Sequence, residues 1–310
     1  MSIKEHPPQQ EFSAGESSPS SRLHVPVLLD TTLEMLDPKD GENYLDLTAG
    51  YGGHARRVLE KTKNYTDSVL VDRDSYAIAK LSEFSDKGVR LLHTDFVSAA
   101  RQLVEEGKQF SIILVDLGVS SPQLDQSERG FSFTNSGPLD MRMDARQEVT
   151  AATLIKTTSA DELTRIIVTY GQEPLGFARR IAKAITENRS ITTTKELADL
   201  IVQAHAGKWG KIHPATRTFQ ALRIAVNQEL RQIEDMLSLI PRLLKQGGRV
   251  GIISFHSLED RLVKQYFNEQ KNAGYEAELQ IITKKPLAGD IYDVHNPRSR
   301  SAKLRAAVKK

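Results

Sequence analysis

Three glycines in four positions, Gly50, Gly52 and Gly53, constrain this chain more than any other feature. The residues before them, 44–47, predict a short buried strand, and residues 54–61 predict a helix. Glycine permits a sharp turn with positive φ and leaves space for a ligand at the N-terminus of the helix that follows. This strand–turn–helix pattern therefore predicts a nucleoside-binding site on an α/β sheet.

The next apolar run supports that prediction. Residues 69–71 end in Asp72, 20 positions after Gly52, and a carboxylate at such a place can accept hydrogen bonds from both hydroxyls of a ribose. The loop alone leaves three interpretations open. It fits an S-adenosylmethionine (SAM) site, it fits the loose dinucleotide pattern G-x-G-x-x-G/A over residues 50–55, and it fits a purely structural turn.

Composition narrows the class of protein. The length of 310 residues allows a sizeable core and predicts two compact units. The chain has no cysteine, which excludes disulfides, thiol catalysis and cysteine-ligated zinc. A net charge of +2 argues against a strongly basic nucleic-acid coat but leaves room for local basic patches. No apolar run approaches the roughly 18 residues of a membrane span, so we expect a cytoplasmic protein without a membrane partner.

The chain order predicts an interrupted α/β domain. Residues 1–22 are rich in Ser, Pro, Gln and Glu and predict a disordered, dispensable tail. From residue 44, four apolar runs alternate with helical patterns, which is typical of an open, mainly parallel sheet with ligands at the carboxyl ends of its strands. Asp72, Phe96 and Asp116 all come at such ends. The predicted segments are strands at 44–47, 69–71, 89–92 and 110–116, with helices at 28–36, 54–61, 75–84 and 98–106.

After Asp116 the alternation stops, and residues 117–124 are expected to form a loop. Four helical patterns follow, and a long helix from Ala215, ended by Pro241 and the glycines at 247–248, returns the chain to the sheet. A buried strand at 249–255, a helix at 258–267 and closing strands at 279–283 and 303–308 complete the prediction. We therefore expect a discontinuous domain of residues 23–125 and 223–310 and an inserted all-helical domain of residues 126–222 that recognises the substrate. The four inserted helices are predicted at 151–155, 160–170, 177–188 and 195–206.

Six blocks of the sequence match one known family. They are Gly50-x-Gly-Gly-His54, Asp116-Leu-Gly-Val-Ser-Ser-Pro-Gln-Leu-Asp125, Arg129-Gly-Phe-Ser-Phe133, Gly137-Pro-Leu-Asp-Met-Arg-Met-Asp144, His213-Pro-Ala-Thr-Arg-Thr-Phe-Gln-Ala221 and Ser254-Phe-His-Ser-Leu-Glu-Asp-Arg261. Together they resemble the bacterial small-subunit (16S) rRNA (cytosine-N(4))-methyltransferase H family, also called MraW, over residues 24–308. Leu47 departs from the family, which commonly has glycine there, and this difference narrows the turn slightly.

The resemblance implies a Rossmann-like, class I SAM-dependent methyltransferase sheet and an enzyme that methylates the exocyclic amine of a cytidine in the decoding region of small-subunit rRNA. The glycine turn would approach the amino-acid part of SAM, Asp72 would bind the ribose, and Phe96 would wall off the adenine, with Asp95 beside it able to reach the exocyclic amine. The family's cofactor contacts fall on Gly52, Gly53, His54, Asp72, Phe96, Asp116 and Gln123.

The chemistry expected from the resemblance is direct SN2 transfer to N(4), a weak nucleophile because its lone pair is delocalised into the ring. A hydrogen-bond acceptor for the amine protons would turn that lone pair toward the methyl group. Our candidates are Asp116 or a backbone carbonyl of the loop Ser120-Ser121-Pro122. We expect His54 to be a contact at the helix start rather than a general base. His256 is open between a base contact and a structural role, and no metal site is expected.

RNA contacts are harder to place from sequence. Residues 126–222 hold 13 basic and 10 acidic residues, and the segment from Lys284 holds eight basic residues against two aspartates. We expect phosphate contacts in both segments, and the small ribosomal subunit as the partner. A small-molecule methyltransferase and a SAM-binding ribosome assembly factor stay as alternatives, and a homodimer stays open. The candidate phosphate-binding residues are Arg179, Arg180, Lys183, Arg298, Arg300 and Arg305.

Overall fold

The computed structural model of the chain describes residues 26–205 and 207–310, with the side chain of Ser121 left out. The predicted tail at 1–22 and the predicted start of the folded part at residue 24 lie outside the described residues. Fold and site are therefore described from Pro26 onward.

An eight-stranded sheet lies at the centre of the described structure. Strands β1 to β5 are parallel, and the last three are antiparallel to their neighbours. The order across the sheet is β3-β2-β1-β4-β5-β8-β6, with β7 paired to β8. The strands are β1 (Tyr44–Asp46), β2 (Val69–Asp72), β3 (Arg90–His93), β4 (Phe110–Asp116), β5 (Leu244–Ser254), β6 (Leu279–Ile281), β7 (Leu287–Ala288) and β8 (Lys303–Lys309).

Helices cover both faces of the sheet, as the continuous apolar runs predicted. Successive residues of β4 alternate between two buried clusters: Ile113 and Val115 face one, and Ile112 and Leu114 face the other. The helices in the described part are α1 (Leu29–Leu36), α2 (Gly53–Thr62), α3 (Ser75–Lys80), α4 (Ser82–Ser85), α5 (Phe96–Glu105), α6 (Ser121–Asp125), α7 (Ala151–Thr157), α8 (Ala160–Gly171), α9 (Leu175–Glu187), α10 (Thr194–Ala204), α11 (Ala215–Asn227), α12 (Glu229–Leu243), α13 (Ser257–Asn272) and α14 (Gly289–Tyr292).

The inserted helices have their own hydrophobic core. Helices α7 to α11 enclose a third cluster that runs from Phe131 to Val226. The apolar residues of α5, α12 and α13 instead pack on the sheet. Because α11 continues to Asn227, the boundary predicted at residue 222 falls inside a helix.

The long helix predicted from Ala215 is two helices. Gln228 has φ of 50°, a left-handed conformation that ends α11 and starts α12. Asn227, fully buried, explains the break: its amide donates to the carbonyl of Met141 and accepts from the amide of Met143, at 2.8 Å each. Pro241, expected to end the helix, lies inside the last turn of α12. No single-residue signal marks this break, since it depends on a contact with a loop 84 residues away.

Smaller differences also follow from local hydrogen bonding. The predicted loop at 117–124 contains α6, and β7 was not predicted. The helix predicted at 75–84 divides into α3 and α4. Helix α5 begins at Phe96, two residues earlier than predicted, because the Asp95 carboxylate accepts from the amides of residues 97 and 98.

The start of α2 depends on Gly52. This residue precedes the first helical residue with φ of 77°. A β-carbon on it would lie 2.5 Å from Cε2 of Phe84, a side chain buried under the loop. Backbone conformation and close packing therefore both require glycine here.

Strand β1 buries a carboxylate. Asp46 is 1% exposed, accepts a hydrogen bond from the hydroxyl of Tyr44 at 2.7 Å and another from the amide of Thr48 at 3.1 Å. Burial outweighs these two donors and raises the pKa of Asp46 from 3.8 to about 7.

We predict that Gly52→Ala destabilises the protein more than Gly41→Ala. Gly41 has a similar φ of 81° but open space where its β-carbon would lie. Its substitution should cost only the left-handed backbone strain, about 1–2 kcal/mol, and Gly52→Ala should add roughly 1–3 kcal/mol for overpacking. Urea unfolding measures both, and equal losses of stability would contradict the assigned packing role.

We predict that Asp46→Asn removes a pH-dependent penalty. The folded state holds a proton on Asp46 that the unfolded state has already lost between pH 3.8 and about 7, so this group lowers stability as pH rises through that window. Between pH 4 and 7.5, the free energy of unfolding of the variant should rise relative to that of the wild type by up to about 4 kcal/mol. Unfolding free energies at several pH values give this difference. A difference that does not change with pH would refute the assignment.

Candidate active site

A cavity of about 350 Å³ opens at the carboxyl ends of β1, β2 and β4. Its size is at the lower end for small-molecule sites, and its position is the one expected for an open α/β sheet. It contains most of the residues that the sequence indicated. The predicted residues that line it are Gly53, His54, Asp72, Phe96, Asp116, Ser120, Pro122 and Gln123.

Asp72 holds the glycine loop in place. One carboxylate oxygen accepts from the amide of Gly50 and the other from the amide of Asp74, both at 2.8 Å. Burial raises the pKa of Asp72, and the two amide donors oppose that change. Each carboxylate oxygen can accept a second hydrogen bond, so acceptor capacity remains toward the cavity.

Gly52 is not among the residues that line the cavity, so its contact with the cofactor stays a prediction. Its α-carbon faces Phe84 and Leu81 instead. Gly53 does line the cavity and packs against the N-terminal segment, where a β-carbon would lie 2.5 Å from Cγ of Pro26. The two glycines therefore serve different purposes, close packing and cavity shape.

Asp116 is the least satisfied polar group of the site. Its amide donates to the hydroxyl of Thr48 at 2.6 Å, but its Oδ1 has no hydrogen-bond partner among the described residues. Burial raises the pKa of Asp116 well above its usual value, and the nearby carboxylates of Asp46 and Glu259 raise it further. A carboxyl group in this setting is prepared to meet a cation or a hydrogen-bond donor.

His54 lies in the first turn of α2, between the N-terminal segment and Asp116. Its Nε2 lies 3.1 Å from the carbonyl oxygen of Val27, and its Nδ1 lies 3.7 Å from Oδ2 of Asp116. Because a carbonyl only accepts, the hydrogen bond assigns the proton to Nε2 and turns Nδ1 toward the carboxyl group. His54 is therefore a residue of the helix start that lies next to Asp116.

Gln123 is held by neighbours on both sides. Its carbonyl oxygen accepts from the amide of Ser120 at 2.9 Å, and its amide donates to Asp74 at 2.8 Å. Arg129 completes this arrangement with an ion pair to Asp74 at 2.7 Å. Arg129 was quoted from sequence only as part of a motif, since nothing in its local pattern shows that it reaches Asp74.

The loop after β4 contributes two of its three predicted residues to the cavity. Ser120 and Pro122 line it, and Oγ of Ser120 has no hydrogen-bond partner in the part of the chain described here. Ser121 begins α6. The loop thus presents a hydroxyl group beside Asp116.

Sequence reasoning missed an acidic wall of the cavity. Glu229 and Glu259 are both buried, and with His256 they place ligand atoms within 4.8 Å of one another. Glu259 accepts from the amides of residues 255 and 256 through Oε2. Its Oε1 has no hydrogen-bond partner in the described residues, although it lies 3.2 Å from Nε2 of His256. His256 thus pairs with Glu259 and starts α13, the structural alternative left open above.

The ion pair of Arg223 makes a metal centre at Glu229, His256 and Glu259 unfavourable. Arg223 forms a two-pronged ion pair with Glu229, with both distances 2.9 Å, and so already neutralises one of the two carboxylates. Glu229 comes from the start of α12, and His256 and Glu259 come from the turn after β5 and the first turn of α13, so all of α12 and β5 separate them along the chain. Spacing along the chain could not have indicated them.

The predicted RNA-contacting residues fall into three groups. Arg305 was wrong: it is buried in β8 and donates to Asp260 at 2.8 Å, because the basic segment that contains it is an inner strand of the sheet. Arg180 and Arg298 are exposed but already bonded, Arg180 to the carbonyl at the end of α10 and Arg298 to Asp125. Lys183 is exposed and forms an ion pair with Glu187 at 3.8 Å, and Arg179 and Arg300 are exposed.

Among residues 26–205 and 207–310, no helix combines the length and the apolarity that crossing a membrane requires.

This chain is similar to known proteins over most of its length. The family model of the MraW methylase family matches residues 21–310. A protein from Synechocystis sp. named ribosomal RNA small subunit methyltransferase H is 48% identical over 297 residues, covering 92% of this chain and 93% of its own. A protein of the same name from Cyanothece sp. is 47% identical, covering 92% of this chain and 94% of its own.

Solved structures are more distant. An rRNA methylase from Streptococcus thermophilus has a TM-score of 0.40 and 10% identity, covering 90% of this chain and 92% of its own, a likeness too low to support a conclusion. The family match covers the whole described chain, including both parts of the sheet and the helices between them. The chain belongs to the MraW methylase family and is a SAM-dependent methyltransferase.

Proposed function

We propose that this protein methylates the exocyclic N(4) amine of a cytidine in the decoding region of small-subunit rRNA, by direct SN2 transfer from SAM. The observation that carries the proposal is the unpaired oxygen of Asp116, buried at the end of β4 beside the glycine loop. Family membership and the shared name of the relatives support rRNA of the small subunit as the substrate.

The residues present fit SAM. When bound, SAM supplies an electrophilic methyl group on a positively charged sulfur. Asp72 has acceptor capacity for ribose hydroxyls, and Phe96 supplies an apolar wall for the adenine. Gly53 leaves room for the amino-acid part, and the cavity's carboxylates favour a cation. Gln123 is proposed to keep Ser120 in position rather than to carry the main contact, because its amide group is already bonded.

Asp116 is proposed to accept a proton of the target amine. SAM would supply the methyl carbon to this nitrogen and would leave as S-adenosylhomocysteine. The proton that the nitrogen loses passes to Asp116. A positive sulfur nearby favours the ionised carboxylate, so SAM binding would prepare Asp116 to accept. His54 lies beside this carboxyl group, with Nδ1 3.7 Å from its Oδ2. Cysteine is absent, so no covalent thiol adduct is involved.

The partner is proposed to be the small ribosomal subunit or its rRNA, in the cytoplasm. Arg179, Lys183 and Arg300 are exposed and can meet backbone phosphates. Arg305 is excluded from this surface by its burial. The inserted helical unit, which ends at the break at Gln228, is proposed as the substrate-recognition domain.

We predict that Asp116→Asn lowers kcat roughly 100-fold, because the isosteric amide keeps the packing but cannot accept the proton. Methyl-labelled SAM would be incubated with small subunits from cells that lack this gene. The RNA would then be digested and its nucleosides identified by mass spectrometry. Asp67→Asn is the control, since Asp67 is exposed, does not line the cavity and precedes β2 at the strand end opposite to Asp72.

The outcomes separate the competing functions. Label in N(4)-methylcytidine, lost in Asp116→Asn and kept in Asp67→Asn, is the expected result. Label in N(4)-methylcytidine that Asp116→Asn leaves undiminished would remove Asp116 as the acceptor. Tight SAM binding without transfer to any RNA would favour an assembly factor or a small-molecule methyltransferase and overturn the proposed function.

A further inference from the structure

The segment between α10 and α11 is unusually poor in negative charge. No acidic residue occurs between Asp199 and Glu229. Arg217 and Arg223 within that stretch are paired with glutamates. Lys208 and Lys211, in contrast, have no ion pair with any residue that the structure describes. Two lysines without partners, in a segment without acids, favour an anionic partner.

Trp209 lies between these two lysines and is the only tryptophan of the chain. Its side chain is 48% exposed. Tryptophan is large and apolar, and half-exposed aromatic rings flanked by basic residues are typical of surfaces that stack nucleobases. Ile212, 57% exposed, adds apolar surface next to it.

The indole ring is held in place by other rings. Its centroid lies 6.2 Å from that of His205, perpendicular to it, and 5.9 Å from that of His213. His205 packs on Phe177 at 5.0 Å, and His213 packs on Phe133 at 4.7 Å. A ring anchored in this way loses little conformational entropy when a ligand stacks on it.

A basic groove continues from this ring cluster. The guanidinium of Arg180 lies over Phe177 and donates to the carbonyl of Ala204, the residue before His205. Arg180 also lines an open groove of about 300 Å³ with Lys183, Gln203 and one acidic residue, Glu187, which pairs with Lys183 at 3.8 Å. Lysines, rings and groove therefore form one surface of the helical insertion, which combines aromatic faces with positive charge.

We propose that Trp209, Lys208 and Lys211 form a binding site for an unpaired nucleotide of the RNA substrate. The base stacks on the indole, and the lysines contact the adjacent phosphates. The site rests on the proposed function, because it assumes that RNA is the substrate. The positive charge of Lys208 and Lys211, in a segment without acidic residues, favours RNA as the partner over an acidic and apolar protein surface. The half-exposed indole of Trp209 favours unpaired RNA, whose bases are free to stack on it.

The single tryptophan gives a direct test. Intrinsic fluorescence of the full-length protein reports Trp209 alone, so titration with a single-stranded oligoribonucleotide should quench it, and a fully paired duplex should quench it much less. Protein-free small-subunit rRNA should also quench. Unchanged emission with both single-stranded RNA and rRNA would overturn the proposal. Quenching by intact subunits but not by protein-free rRNA would also overturn it, and would indicate that Trp209 contacts a ribosomal protein.

Variants test the same site in turnover. Trp209→Ala should raise KM for RNA and Kd for the oligonucleotide about tenfold, while kcat and the affinity for SAM stay unchanged. Trp209→Phe should bring KM and Kd largely back to the wild-type values. The double variant Lys208→Ala/Lys211→Ala should lower the salt dependence of binding by about 1.4 in log–log slope. Tyr275→Ala is the matched control, a fully exposed aromatic residue in another part of the chain.

The result distinguishes the two proposals. If the wild type methylates RNA while Trp209→Ala keeps the same KM and Kd, the nucleotide site is wrong and the proposed function stands. If RNA quenches Trp209 and the variant binds it weakly, but no RNA is methylated, the nucleotide site stands and the proposed function is wrong. Thermal unfolding of each variant verifies that the fold is intact.

Discussion

The burial of carboxylates at one edge of the sheet is the constraint on which the rest of this structure depends. Parallel strands end at the same edge, and the adjacent strands β2, β1 and β4 end in Asp72, Asp46 and Asp116. Burial raises the pKa of all three. The free energy that this desolvation costs is partly offset by backbone amides, and those amides fix the local structure.

The three carboxylates differ in the number of hydrogen-bond donors that offset the free-energy cost of their burial. Asp72 accepts two amides and thereby holds the glycine loop. Asp46 accepts a tyrosine hydroxyl and one amide. Asp116 has an oxygen without any partner in the described residues, and Glu259 adds a second such oxygen in the cavity wall. This uneven compensation leaves hydrogen-bond acceptors without donors where a positively charged methyl donor is expected to bind.

Arginines also lie in the cavity wall and beside it. Arg223 is committed to Glu229. Arg73 lines the cavity, and burial lowers its pKa, with one guanidinium nitrogen lacking a partner among the described residues. The cavity therefore contains opposed charges that are incompletely paired, an arrangement more typical of a ligand site than of a structural core.

Sequence predicted the parts of this site that depend on local pattern. Apolar runs and glycines located β1, β2, β4 and the loop, so Asp72, His54 and Asp116 were identified correctly as cavity residues. Gly52 was assigned to the cofactor because a positive φ and the close approach of a ligand both favour glycine. Sequence alone could not show that its α-carbon faces Phe84.

What sequence missed depends on contacts between distant segments. Glu229 enters the cavity only because Asn227, bonded to a remote loop, breaks the predicted long helix. Arg305 was assigned to the surface because it belongs to a basic segment, and although a strand was predicted at 303–308, sequence did not show that β8 is paired on both sides inside the sheet. Hydrophobic periodicity carries no information about either event.

The most direct test of the central claim compares the binding of SAM with that of S-adenosylhomocysteine, whose sulfur is uncharged. Calorimetry in buffers of different ionisation enthalpy gives the number of protons released with each ligand. If the unpaired carboxyl of Asp116 receives the positive sulfur, SAM should release a proton that S-adenosylhomocysteine does not, its affinity should rise with pH, and Asp116→Asn should abolish both effects. Equal proton release by the two ligands, unchanged in the variant, would contradict the account.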